Sequence, residues 1–204
     1  MAEAASAPGD GKKQQILQGA ALVFAADGYE GASMSRIAAE AGVSKGTLYN
    51  YFPGKAELFA DYVEQNCTRS IILVFDELEQ ASPPETVLRE IGMRLLRTLL
   101  SEPALVIHRM VVAEAGKFPE LAQAFNAAGP AKGQAHLSGF LRRASQAGRL
   151  HVEDPESAAE QFLALVLKMV HMRRTLRLIE MPSEAEIARV VDGAVWLFMR
   201  GYGV

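Results

Sequence analysis

The sequence predicts an all-α protein, and three observations carry that expectation. Half of the 204 residues are apolar, and Ala, Leu, Glu, Arg and Met, all good helix formers, abound. Apolar residues recur at helical spacing along nearly the whole chain. No stretch sustains the alternation of a half-buried strand.

About nine helices follow in order. Residues 1–11, small and polar, read as a disordered arm. The first helix is expected from Lys12 to Asp27, with Ile16, Ala20, Val23 and Phe24 as its apolar stripe and Gly28 at its C-terminal cap. Ser33 suits the N-cap of a short second helix that buries Met34, Ile37, Ala38 and Ala41 and ends at Gly42. Ser44 then caps a third, Lys45–Tyr51, which stops before Phe52-Pro53-Gly54 because the residue preceding Pro resists helix. A long helix from Gly54 to Gln80 ends at the Ser82-Pro83-Pro84 break. Helices over 85–101 and 104–116, a turn of helix over 118–125 and a helix over 130–148 come next. Asp154-Pro155 opens a helix to about Ile179, since Asp caps well and Pro suits a first turn. Met181-Pro182-Ser183 opens the last, to about Arg200. The expected domains are 12–56, carrying two short helices around a Gly-containing turn, and 57–204, a helical body.

Composition narrows the function. A single Cys67 excludes a disulfide framework and any multi-cysteine metal site. No apolar run approaches the length of a membrane span, and MAEAASAPGDG has neither the basic start nor the apolar core of a signal peptide, so a cytoplasmic protein with no membrane partner is expected. The net charge of −3 hides an asymmetry: residues 12–55 carry five basic against three acidic groups, whereas 56–204 carry sixteen against nineteen. A polyanion would meet the front of the chain. Catalysis finds no support, because Gly31-Ala32-Ser33-Met34-Ser35 lacks the second glycine of a nucleophile elbow and Lys45-Gly46-Thr47 lacks the glycine spacing of a phosphate loop. No cofactor or metal is implied, since Cys67 and the four His are scattered without ligand spacing.

The informative stretch is Ser33–Lys55. Two short helices joined by Ala41-Gly42-Val43-Ser44 have the length and the glycine of a helix-turn-helix. At 100° per residue, Leu48 and Phe52 share one face of the third helix, while Gly46 and Asn50, flanked by Thr47 and Tyr49, lie opposite. Such a helix suits a groove: Gly46 permits close backbone approach, and the Thr47 and Tyr49 hydroxyls reach phosphates. Lys45 and Lys55 sit in the first turns of two helices, where a cation is disfavoured by the helix dipole. A phosphate there would relieve the repulsion.

The run Gln15-Ile16-Leu17, Phe24, Gly28-Tyr29, Ser33, Ile37-Ala38, Ala41 to Phe52 (AGVSKGTLYNYF) and Lys55-Ala56-Glu57-Leu58 resembles the DNA-binding domain of the tetracycline-repressor (TetR) family of bacterial regulators. The resemblance implies a three-helix DNA-binding domain, a linking fourth helix and a body that binds a ligand and forms dimers. It implies DNA contacts by Ser33 and Ser35, a recognition face of Lys45, Gly46, Thr47, Tyr49 and Tyr51, and Lys55 pinning the backbone. Arg36 and Asn50 are the further candidates for reading bases, since the recognition helix has no Arg or Gln for bidentate contacts. In the body, Arg109–Leu121 follows the pattern R-x-V-x-A-E-x-x-x-F-P-E-L and resembles the AefR/AcrR-like subgroup.

The body suggests two further surfaces. Met93, Leu96, Leu100, Met110, Phe118, Phe125, Phe140, Phe162, Val166 and Met169 form a candidate Met- and Phe-rich pocket lining, with His108, His136 and Glu114 as polar groups to orient a greasy or aromatic effector. Each apolar member serves equally as plain core. Large apolar residues left over on the last two helices point to a two-fold contact, for which the candidates are Phe162, Leu165, Met172, Ile187, Val191, Ala194, Val195 and Phe198. The resulting expectation is a ligand-responsive repressor that binds palindromic operator DNA as a homodimer. A helical ligand-binding or scaffold dimer without selective DNA reading stays open as the alternative.

Overall fold

A computed structural model describes residues 8–76 and 82–204, and all helices of the described residues are joined by turns and loops without a named strand. Ten helices are present among them: α1 (Pro8–Gly31), α2 (Met34–Glu40), α3 (Lys45–Tyr51), α4 (Lys55–Phe75), α5 (Pro84–Leu99), α6 (Glu102–Glu114), α7 (Pro119–Ala128), α8 (Pro130–Gln146), α9 (Pro155–Thr175) and α10 (Glu184–Tyr202). The tenth beyond the expected nine is α7, a full helix where the sequence suggests a single turn. Helix begins at Pro8, inside the stretch expected as an arm; residues 1–7 and the expected end of α4 at Gln80 lie outside the described residues.

The chain divides into two units. The first joins the residues up to 66 with 106–125; the second joins 67–105 with 126–204. In the first unit α1 packs on α2 and α2 on α3. The α1–α2 approach depends on Gly19, where a Cβ would lie 2.7 Å from the Ala41 backbone nitrogen. The unit closes on aromatic rings: Phe24 meets Phe59 edge-on with centroids 5.4 Å apart, and Tyr29 meets Phe59 at 5.2 Å and Phe118 at 5.0 Å. Offset and edge-to-face rings add to the stabilisation that burial alone provides.

In the second unit α8 and α10 pack on α9 and α5 on α10, around one apolar cluster that includes Leu88, Ile91, Leu96, Leu141, Phe162 and Val191. Ser183 opens α10 with a capping box: its hydroxyl accepts the Glu186 N–H, and the Glu186 carboxylate accepts the Ser183 N–H at 2.9 Å. Helix α9 ends at Thr175, a turn before the expected Ile179. The reason is a cap in which Leu178 N–H donates to Arg173 O at 2.9 Å and Arg177 N–H to Arg174 O at 3.1 Å. Arg177 takes φ 57° to make it, in the position that glycine usually fills.

Candidate nucleic-acid interface

Local sequence positions the second and third helices within a turn of expectation. Ser33 accepts the Arg36 N–H at 3.2 Å and caps α2; Ser44 accepts the Thr47 N–H at 3.0 Å and caps α3. Between them Gly42 adopts φ 63°, a conformation costly for other residues. Gln15 of α1 donates from Nε2 to Ala41 O at 2.6 Å and ties the end of α2 to the first helix. Sequence reasoning assigned Gln15 no role of its own, and its glutamine type alone carries no signal for this long-range bond.

Ile37, Ala38, Leu48 and Phe52 are all buried, with Leu48 at 0% exposure. Burying that side of α3 turns the opposite side outward. Ser33, Ser35 and Arg36 are exposed on α2, and Lys45, Gly46, Tyr49, Asn50 and Tyr51 are exposed on α3, Tyr49 at 51%. The structure therefore brings eight of the ten expected DNA-contact residues onto one short pair of helices as exposed groups. Thr47 is half-buried, and its hydroxyl lies 2.8 Å from that of Ser44. Arg36 forms an ion pair with Asp27 at 2.6 Å. Lys45 has no ion pair among the described residues.

Lys55 is half-buried among backbone carbonyls. Its ammonium donates to the carbonyls of Tyr29 at 2.6 Å, Glu30 at 3.2 Å and Ala32 at 2.9 Å, and it stands 4.5 Å from the Tyr29 ring centroid. The unfavourable position of this cation at the start of α4 is relieved by the carbonyl end of α1. Nearby, Lys117 holds Glu30 at 2.7 Å, which draws the Glu30 carboxyl below its ordinary value and the lysine above its own. Burial, followed by the charges of Glu120, Glu57 and Glu114, pushes the Tyr29 phenol up.

Two family descriptions match the chain. Residues 16–62 match the bacterial regulatory proteins of the tetR family, and residues 86–204 match the C-terminal domain of AefR-like transcriptional repressors. The chain belongs to the TetR family. A TetR-family regulator from Mesorhizobium loti MAFF303099 is 29% identical and superimposes with a TM-score of 0.88 over 98% of this chain and all of that one. The flavonoid-responsive regulator FrrA is 31% identical, with a TM-score of 0.83 over 95% of this chain and 98% of its own. In sequence, the HTH-type regulator YezE of Bacillus subtilis strain 168 is 28% identical across 71% of this chain and 75% of its own length. The HTH-type repressor AcnR of Corynebacterium diphtheriae is 36% identical over 58 residues, 30% of its length. Membership makes the protein a DNA-binding transcriptional regulator whose α2-turn-α3 segment is the family's helix-turn-helix.

The thirteen residues expected to line an effector pocket are divided between the two units. Met93, Leu96, Leu100, Phe140, Phe162 and Val166 are buried members of the second unit's core. His108, Met110, Glu114, Phe118 and Phe125 belong to the first unit, where Phe118 packs on Tyr29 and burial lowers the His108 pKa, with Arg109 adding to it. His136 is exposed and stacks on Phe75, and Met169 is 54% exposed. The first unit carries an open groove of about 290 Å³ elsewhere, lined by Lys13, Gln14, Leu17, Asp61, Glu64 and Gln65.

Most residues expected at the dimer surface lie in the core of the second unit. Phe162, Ile187, Val191, Ala194, Val195 and Phe198 are buried in their own chain, none above 5% exposure. The wide stripe of α10 faces α5 and α9, and Gly92 admits Val191 so closely that a Cβ there would lie 2.8 Å from its Cγ1. Leu165 and Met172 remain exposed, and with them Met169, Leu176, Trp196 and Leu197. The groups left over after the core is filled, and not the stripe that fills it, are available to a partner.

Proposed function

We propose that the protein binds palindromic operator DNA as a homodimer and represses transcription from it. The two copies of α3 would enter successive major grooves about 34–36 Å apart. One observation carries the reading: α3 buries Leu48 and Phe52 and turns Lys45, Gly46, Tyr49, Asn50 and Tyr51 outward. Ser33 and Ser35 would add contacts from the start of α2, and Arg36 would reach DNA only by leaving Asp27. Pairing of protomers through Leu165, Met169, Met172, Leu176 and Trp196 is supported by their exposure, since isolated soluble chains seldom leave so many large apolar groups in water.

Release would follow binding of a small hydrophobic or aromatic effector in the C-terminal body. Likeness to FrrA, named as flavonoid-responsive, favours an aromatic effector. Met93, Phe140 and Phe162, which share one cluster, are the residues such a molecule would displace. To act, it must prefer the DNA-incompetent state; a preference of about 1–3 kcal/mol lowers operator affinity roughly 5–150-fold.

The test is footprinting and fluorescence anisotropy on the protein's own upstream region at about 0.15 M salt, where sequence-independent attraction is already weakened. Wild type should protect a symmetric site, and Tyr49→Ala should lose it with dimerisation unchanged. Equal affinity for the upstream region and for random duplex would overturn the proposal.

A further inference from the structure

Lys55 stands where a phosphate contact is expected, yet its surroundings are carbonyl oxygens. An ammonium group has three hydrogens. Three acceptors lie within bonding distance: Tyr29 O at 2.6 Å, Ala32 O at 2.9 Å and Glu30 O at 3.2 Å. The Tyr29 ring, 4.5 Å away, covers a further side. Carbonyls at the end of a helix have no partner within it and carry the negative end of its dipole, so a cation there satisfies both needs.

Those carbonyls belong to the segment that delivers the chain from α1 into α2. Gly28 breaks α1 at φ 70°, and Ser33, one residue past Ala32, is the N-cap of α2. The same segment is held from its other flank, where Glu30 N–H donates to Glu114 at 3.4 Å and Lys117 pairs with the Glu30 carboxylate. We infer that Lys55 is a positioning residue for DNA binding: it clamps the 29–32 carbonyls and thereby sets where Ser33 and the first turn of α2 meet the duplex. It makes no phosphate contact of its own. The inference rests on the operator-binding reading above.

A clamp and a phosphate contact differ in what replaces lysine. A guanidinium contacts phosphate through two parallel N–H bonds and would do so at least as well. Its planar fork cannot converge on three carbonyls around a single nitrogen. They also differ in salt dependence, since removing one cation from a phosphate makes the slope of log affinity against log salt shallower by about 0.9.

Anisotropy titrations of the full-length protein with a duplex from its upstream region, at several salt concentrations, separate the two. Lys55→Met and Lys55→Arg should each weaken binding on the order of tenfold, the loss expected when bonds from a charged donor are removed, with the salt slope unchanged. Ser33→Ala combined with Lys55→Met should cost less than the sum of the single changes, because both act through the same turn. A shallower slope, additive losses, or a Lys55→Arg protein that binds as tightly as wild type would each overturn the inference. Should Lys55→Met fail to fold, Lys55→Arg carries the comparison. If wild type itself shows no preference for the upstream duplex, the operator reading fails instead. Thermal unfolding then still judges the clamp, with lowered midpoints in both variants supporting it and unchanged midpoints overturning it.

Discussion

The hydroxyl of Ser44 holds Thr47 twice, accepting its backbone N–H at 3.0 Å and lying 2.8 Å from its side-chain oxygen. With only seven residues, α3 is far too short to persist by itself in water. The cap at one end, Leu48 in the middle and Phe52 at the other end supply what propensity cannot. Thr47 is thus held in place before any duplex arrives.

Gly46 has no reason to be glycine within the folded chain. A Cβ there would find its nearest neighbour, the Ser44 hydroxyl, at 3.8 Å, an ordinary contact, and the residue is exposed. Gly46→Ala should therefore raise stability by up to about 1 kcal/mol, the usual helix-interior difference. If α3 lies in the groove, the same change weakens operator binding. Thermal unfolding and anisotropy should move in opposite directions, and parallel movement would remove Gly46 from the interface.

The last two helices separate packing from pairing. Trp196 is 60% exposed, whereas Phe198 is 2% exposed and packs edge-on against Phe162 at 5.4 Å. Trp196→Glu should leave the fold of each protomer intact and shift sedimentation from dimer towards monomer. Phe198→Ala should cost about 3–5 kcal/mol of stability through the cavity it opens. A stable, fully dimeric Trp196→Glu protein would exclude this part of α10 from the pairing surface.

Cys67 is half-buried, and burial pushes its thiol up to about 11. The thiolate is the reactive form, so at pH 8 only about one thiol in a thousand is ready to react. Ellman's reagent should modify the native protein slowly and the denatured protein at once. Since the folded value lies above the ordinary 9.0, this group also subtracts stability as pH rises beyond 9. Rapid modification of the native protein would place Cys67 at the surface.

Acid should weaken the second unit through Glu184. Arg97 holds this carboxylate at 2.6 Å and draws it below the ordinary 4.5. A group depressed on folding contributes above its unfolded value and loses that contribution as pH falls through the lower, folded one. Both partners face solvent, so the effect is small and screened by salt. Glu184→Gln should flatten the loss of stability between pH 4.5 and lower values, most visibly at low ionic strength. An identical pH profile in the variant would dismiss the pair as a contributor.

Helix boundaries were legible wherever a cap has a one-residue signature. Ser33 and Ser44 mark the starts of α2 and α3 to the residue, Gly42 falls two residues past the end of α2, and Asp154-Pro155 marks the start of α9. The end of α9 was not, because Arg177 fills a position normally recognised by glycine. Face assignment succeeded on α3, where seven residues leave one choice of buried side. On α10 periodicity identifies the apolar stripe that is buried, without saying whether the neighbour is α5, α9 or a second chain. The carbonyl contacts of Lys55 were not legible, since its acceptors lie more than twenty positions upstream and no local pattern records them.

The reading head is assembled from two separate stretches of chain, with Phe118 seated on Tyr29 and Lys117 on Glu30. Residues up to 66 taken without 106–125 would lose Phe118 from the Tyr29 ring and Lys117 from Glu30. A chimera that transplants 106–125 along with residues up to 66 keeps both contacts, so the seam that preserves them is spatial and takes more than one crossover.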